Sequence, residues 1–149
     1  MAEPDPPQAT PEPGAAPRSP PEAIHSYHAH VYFDAASRDR AAQLREQIAD
    51  RFRVQLGRWR EAPVGPHARP MYQVAFTPDL FGELVPWLML NRMGLPVMVH
   101  PNTDSPHDDH LAQALWLGEQ LPIDAGMLPR SLRETGATHD PVEPNTGPA

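Results

Sequence analysis

The chain has no cysteine, which excludes disulfides, thiolate-bound zinc and a cysteine nucleophile. The absence also accords with a reducing cytosol. There is no basic excess: 12 Lys+Arg stand against 19 Asp+Glu, for a formal charge of -7 and a pI near 5.5. Nucleic acid, which calls for a cationic footprint, is therefore not expected as a partner. No apolar run approaches the roughly 20 residues that span a bilayer, so no membrane association is expected. The N-terminus lacks the basic and then apolar pattern of a signal peptide. A cytoplasmic protein is expected. A chain of 149 residues is read as one domain, long enough to bury a core once its ends are set aside.

What the chain has in excess is proline, 21 residues of it, unevenly placed. Residues 1–24 hold Pro4, Pro6, Pro7, Pro11, Pro13, Pro17, Pro20 and Pro21 and no aromatic residue. Proline removes backbone donors and fixes φ, and so few large apolar groups cannot offset the entropy of ordering. A disordered or polyproline-like tail is expected there; its PxxP spacings also suit an SH3-like groove. From about Gly126 apolar periodicity fades again, so residues 126–149 are read as a flexible tail. The folded unit is residues 25–125, with no internal repeat.

Within that unit the periods alternate between two and about 3.6. His25 to Phe33 reads as a strand, with Ala29, Val31 and Phe33 on one face and His28, His30 and Tyr32 on the other. Asp34 or Ser37 can cap a helix whose stripe is Ala41, Leu44, Ile48 and Phe52. Val54 to Trp59 reads as a short second strand. Pro63, Gly65, Pro66 and Pro70 impose an irregular connection, and Met71 to Phe76 is a third strand. Thr77-Pro78 starts a helix carrying Leu80, Phe81, Leu84, Val85 and Leu88 inward, kinked at Pro86 and ended near Gly94. Pro96 to His100 is a fourth strand. Asp108 or Asp109 then caps a last short helix containing His110 to Leu117.

The order βαββαβ with a trailing helix predicts an α+β, ferredoxin-like antiparallel sheet with both helices on one face. We expect the first and third strands to run parallel in the middle of the sheet, the second and fourth the other way. That arrangement lines His28, His30, Glu61, His67 and His100 along one edge. Parity leaves His28, His30, Tyr32, Gln73 and His100 on the face away from the helices. Met71, Ala75 and Met98 share that face, and covering them calls for a symmetric homodimer or for residues 101–125. Imidazoles converging from separate segments are the raw material of a transition-metal site or an acid/base pocket.

The motifs Tyr27-His28-Ala29-His30-Val31-Tyr32-Phe33, Pro63-Val64-Gly65-Pro66-His67 and Met71-Tyr72-Gln73-Val74-Ala75-Phe76 resemble the DOPA 4,5-dioxygenase family. So do Val85-Pro86-Trp87-Leu88-Met89-Leu90-Asn91-Arg92, Val99-His100-Pro101-Asn102-Thr103, Asp109-His110 and Ala114-Leu115-Trp116-Leu117-Gly118. The resemblance spans residues 25–125 and neither tail. It implies a ferredoxin-like fold and a non-haem Fe(II) enzyme that opens a catechol ring with O2.

Such chemistry commonly uses two histidines and one carboxylate as ligands, plus an acid/base that takes and returns a catechol proton. The ligand pool is His28, His30, His67 and His100, with Glu61 as the carboxylate; an all-histidine site is the other arrangement. His28, His67 and His110 are the acid/base candidates, although His110 is equally read as a helix-start residue. His25, His107 and His139 are read as solvated, Trp87 and Trp116 as helical core residues, and Arg92 as a surface residue at a helix end. Tyr32 and Gln73 share the open face and are placed to orient a substrate. The competing reading is a non-catalytic module that binds a metal or small molecule.

Overall fold

The computed structural model describes residues 20–145. Most of the Pro-rich tail and its PxxP spacings lie outside the described residues; Pro21–Ala23 form one exposed 3-10 turn. In chain order the elements are β1 (Ser26–Tyr32), α1 (Arg38–Arg51), β2 (Gln55–Leu56), β3 (Met71–Phe76), α2 (Phe81–Asn91), β4 (Val97–Asn102), α3 (Pro106–Asp109), β5 (Leu115–Leu117) and α4 (Leu132–Thr135). The strands form one antiparallel sheet in the order β2-β3-β1-β4-β5. With β5 set aside, this is the ferredoxin-like order.

Local chemistry explains the helix boundaries. Ahead of α1, Asp34 Oδ1 accepts from the Ser37 N–H and the Ser37 hydroxyl, both at 2.9 Å, while Ser37 Oγ accepts from the Asp34 N–H at 3.0 Å. This reciprocal box fixes where the helix begins. Ala41, Leu44 and Ile48, at spacings of three and four, are wholly buried. The turn Pro78–Leu80 leads into α2, which buries Leu84, Val85 and Leu88 and keeps Pro86 on its outer side. Met93 and Gly94 follow at φ 55 and 76, a left-handed reversal that glycine eases and that turns the chain straight into β4. Both helices cover Ala29, Val31, Phe33, Val74, Phe76, Val97 and Val99, as strand parity requires.

The strand directions differ from expectation. β1 runs antiparallel to both β3 and β4. Each helical crossover joins two strands that run the same way, so β1 matches β2 and β3 matches β4, and interleaving them opposes β1 to β3. The beginning of β1 therefore lies beside the end of β4, as expected, but also beside the end of β3. Residues 61–70, which precede β3, start at the far end of the sheet and must double back across the open face to approach His28.

The expected last helix is mostly absent. α3 is a single turn capped by Ser105, whose Oγ accepts from the Asp108 N–H, and Leu115–Leu117 add an edge strand beside β4. A run of four apolar residues cannot by itself distinguish a helix from a strand, and the open edge of β4 supplies the partner that decides it. Trp116 is consequently not a helical core residue; it stacks on Tyr32 at 5.8 Å over the open face. Met71, Met98 and Leu121 are buried there with Val64, Ala114, Trp116 and Ile123 around them. The chain's own residues cover the face, so a second copy is not needed for that purpose.

Residues 126–145, read as tail, lie back on the body. Ser131 Oγ and the Arg133 N–H donate to Asp104, and the Asn145 N–H donates to Val54 O at 2.8 Å. Polar and backbone bonds hold this segment, which is why apolar periodicity does not reveal it. Among the described residues no helix is long and apolar enough to cross a membrane.

Candidate metal centre

His28 and His30 stand two residues apart on β1 and therefore point to the same face. His100 on β4 is the register partner of His28. His67 comes from the returning loop, pinned by bridges to Val64 and Ile123, and His110 closes α3. The result is a cluster of five imidazoles centred on His30, in the middle of the open face and not along an edge. Ring centroids are 4.2 Å apart for His30 and His67, 5.1 Å for His30 and His100, 5.1 Å for His28 and His100, and 4.0 Å for His100 and His110.

Two triads have ligand atoms within 4.8 Å of one another: His28, His30, His100 and His30, His67, His110. His30 belongs to both. Its Nε2 is 3.0 Å from His100 Nε2, and its Nδ1 is a buried polar atom with no partner. His100 Nδ1–H donates to Pro101 O at 2.8 Å and His110 Nδ1–H to Pro106 O at 2.8 Å, which makes Nε2 the lone-pair nitrogen of each ring, that of His100 facing His30 Nε2. Backbone anchoring of the remote ring nitrogen is the usual support of a metal-bound histidine. The separation also suits coordination, since two nitrogens at ~2.1 Å from one ion in adjacent positions lie ~3 Å apart. An orphaned nitrogen at the centre and anchored neighbours together fit a divalent transition metal.

Electrostatics favour the same state. Burial, and then the neighbouring imidazoles, hold His28 down at about 3 and His67 at about 4. The same causes keep His30 and His100 well below the usual imidazole value, and burial lowers His110. Five neutral imidazoles offer lone pairs without having to release protons first. Tyr32 Oη lies 2.7 Å from His67 Nδ1, and burial raises the phenol, so it stays protonated and orients that ring.

Glu61 is not part of this cluster. It is exposed on the far side of the loop, where Arg38 Nε donates to its Oε1 at 2.9 Å and Trp59 Nε1 at 2.7 Å. The doubling back that carries His67 inward leaves Glu61 at the wrong end of the sheet, and among the described residues neither triad includes a carboxylate. Arg92 caps the end of α2 through Met89 O, as its position suggested. Gln73 faces the open side beside His30. His107 pairs with Asp108. His139, read as solvated, donates instead to Thr103 O at 2.6 Å.

Asp109, expected as a candidate helix cap, has a different structural role, since Ser105 takes the cap. It is 1% exposed and accepts from the Thr103 N–H at 2.8 Å and the Thr103 hydroxyl at 2.7 Å, locking α3 to β4 and so placing His110. Asp109→Ala strands the half-buried Thr103 N–H and hydroxyl and is expected to cost about 1–3 kcal/mol and to weaken metal binding. Exposed Asp108→Ala should change stability by less than about 0.5 kcal/mol. Denaturant titration with metal titration checks the pair, and equal effects would show that Asp109 plays no such role.

Two clefts open onto the cluster. One, of about 630 Å³, has His28 in its floor, and one of about 270 Å³ is lined by His30 and His67; Gly57, Arg58, Arg60 and Gln73 border both. The class is thus a ferredoxin-like α+β protein with a buried histidine cluster between two substrate-sized clefts. Residues 27–127 match the Dopa 4,5-dioxygenase family, and the chain belongs to it. It is 31% identical to a DOPA 4,5-dioxygenase from Amanita muscaria over 116 residues, covering 71% of this chain and 50% of that one. It is also 36% identical to an uncharacterised 21.2 kDa protein from Botryotinia fuckeliana, covering 76% of this chain and 68% of that one. A crystal structure of a presumed dioxygenase from Nostoc punctiforme superposes with a TM-score of 0.70 at 53% identity, covering 76% of this chain and 96% of that one. Membership places the chain among dioxygenase-like enzymes.

Proposed function

We propose that the chain is a non-haem Fe(II) extradiol dioxygenase that opens a catechol ring with O2. The observation that supports this most is the five-imidazole cluster, held neutral and opening onto a cleft large enough for an aromatic ring. His30 with His28 and His100, or with His67 and His110, would hold the ion, and Fe(II) there supplies open positions where catecholate and oxygen meet. The histidines outside the chosen triad take the proton from one catechol hydroxyl and return it as the ring opens. His28 is half-buried at the cleft floor, and His67 is steadied by Tyr32, so each is placed for that exchange. Both oxygen atoms enter the product as one carbon–carbon bond beside the diol breaks, and no external reductant is consumed.

A second reading rests on the all-histidine donor set, which equally suits zinc in a non-catalytic binding module. Anaerobic reconstitution with Fe(II), followed by air and a panel of catechols, separates the two. Oxygen uptake with a yellow ring-fission product is the expected result. Absence of turnover with every catechol, together with tight zinc binding, would favour the module.

A further inference from the structure

A groove of about 770 Å³ opens on the side of the sheet away from the histidines and plays no part in the chemistry above. Its floor is apolar. Tyr27 and Pro101 are register partners on β1 and β4, and by strand parity they and Val99 point opposite to His28 and His100. Phe81, at the start of α2, tilts against Tyr27 with ring centroids 4.8 Å apart. Leu115 of β5 completes the floor and is 40% exposed. The rim carries two carboxylates, Asp104 and Asp108. Asp104 accepts from Ser131 Oγ and the Arg133 N–H, and Asp108 meets His107. Among the described residues no arginine or lysine forms a salt bridge with either; Arg133 and Arg130 act on them only from a distance.

The remaining wall is the chain itself where it enters the fold, at Pro20, Pro21, Ala23 and Ile24. Residues 1–19 are therefore tethered at the lip of the groove. They hold six prolines and a single cation, Arg18, set within Pro17-Arg18-Ser19-Pro20. Proline-rich segments suit aromatic-lined grooves for a physical reason. Their rings pack on aromatic faces, the missing N–H strands no donor, and the fixed φ leaves little entropy to lose. An acidic rim beside an apolar floor matches a segment whose one positive charge lies among prolines. Tethering also gives the segment a local concentration on the order of millimolar, which a free peptide must exceed to displace it. Residues 11–19 reach ~28 Å in polyproline geometry, at ~3.1 Å per residue. We infer that this groove is the docking site of the chain's own residues 11–19, with prolines against Tyr27, Phe81 and Leu115 and Arg18 at Asp104 and Asp108. The same rim leads into Asp109 and His110, so an occupied groove braces from outside the turn that carries one of the five imidazoles.

The chain has no cysteine, so an introduced pair reports proximity without ambiguity. In the full chain, Ala16→Cys is combined either with Gln113→Cys on the groove rim or with Gln47→Cys on the exposed side of α1. Under mild oxidation the 16–113 pair should close within one chain on the order of tenfold faster than the 16–47 pair, because only a docked segment is concentrated at the rim. Arg18→Glu should slow the 16–113 closure about threefold to fivefold, as loss of an exposed ion pair implies. Asp108→Arg in the same chain should restore it. Serine at 11, 13 and 17 should slow the closure by a similar factor. Circular dichroism verifies that each variant is folded. Equal closure of the two cysteine pairs would overturn the proposal, as would a 16–113 closure indifferent to Arg18→Glu or to the proline replacements. Failure of Asp108→Arg to restore the rate would overturn the assignment of Arg18. Disulfide-linked dimers in place of closure within one chain would give the groove to the segment of a second copy and overturn docking within the chain.

Discussion

Replacing His30 by alanine is expected to abolish metal retention and ring cleavage together. His30 is 2% exposed and belongs to both histidine triads, so among the described residues no alternative set of three survives its removal. His28→Ala and His110→Ala each leave one triad intact. Loss of an outer-shell support typically costs 10- to 100-fold in metal affinity; loss of a ligand shared by every triad should exceed the upper end, at least ~100-fold. Metal content after gel filtration and oxygen uptake are the measurements, with circular dichroism to verify folding. Alanine at 30 also removes a buried nitrogen that has no partner, so the metal-free variant should be no less stable than expected for one small cavity. Full metal content in the His30→Ala protein would move the centre elsewhere.

The metal-free protein is expected to lose stability steeply as pH falls below about 6.5. The sign follows from the cluster. In the unfolded chain each imidazole binds a proton near its ordinary value of 6.5, whereas in the folded chain His67 does so only at about 4 and His28 only at about 3. Below 6.5 the unfolded state therefore binds more protons, and stability declines with pH until the folded values are reached, where it levels off. Between 6.5 and about 4, His67 alone withdraws roughly 3 kcal/mol at about 1.4 kcal/mol per pH unit. His30 and His100, held well below the usual value by burial, act in the same direction. A small domain has only about 5–15 kcal/mol in reserve, so the metal-free protein should be largely unfolded by about pH 4. Bound metal competes with protons for the same nitrogens and should carry the folded range to lower pH. Urea midpoints between pH 8 and 4, with and without Zn(II), report both effects. A midpoint independent of pH between 7 and 5 would mean that the imidazoles are not buried neutral.

The fold was largely legible because its signals are local. Alternation in Tyr27 to Phe33 and Met71 to Phe76, the stripe Ala41, Leu44, Ile48 and the Thr77-Pro78 start each depend on residues a few positions apart. Parity alone sorted the two sheet faces, because a strand side chain has only two directions. The residues 115–117 were not legible as a strand, because four apolar residues in a row satisfy either period and the neighbouring edge of β4 selects one.

By itself the sequence determined the elements, the ferredoxin-like order and the histidines that could meet, since hydrophobic period, turn chemistry and side-chain parity are properties of short segments. Tertiary structure alone decided which of them do meet. The antiparallel course of β1 against β3 moved the loop of residues 61–70 to the far end of the sheet, bringing His67 onto the cluster by doubling back and leaving Glu61 with Arg38. It also decided that residues 138–143 wall the larger cleft beside His28, because that segment is held by hydrogen bonds between positions about 36 to 115 residues apart, which no local pattern records.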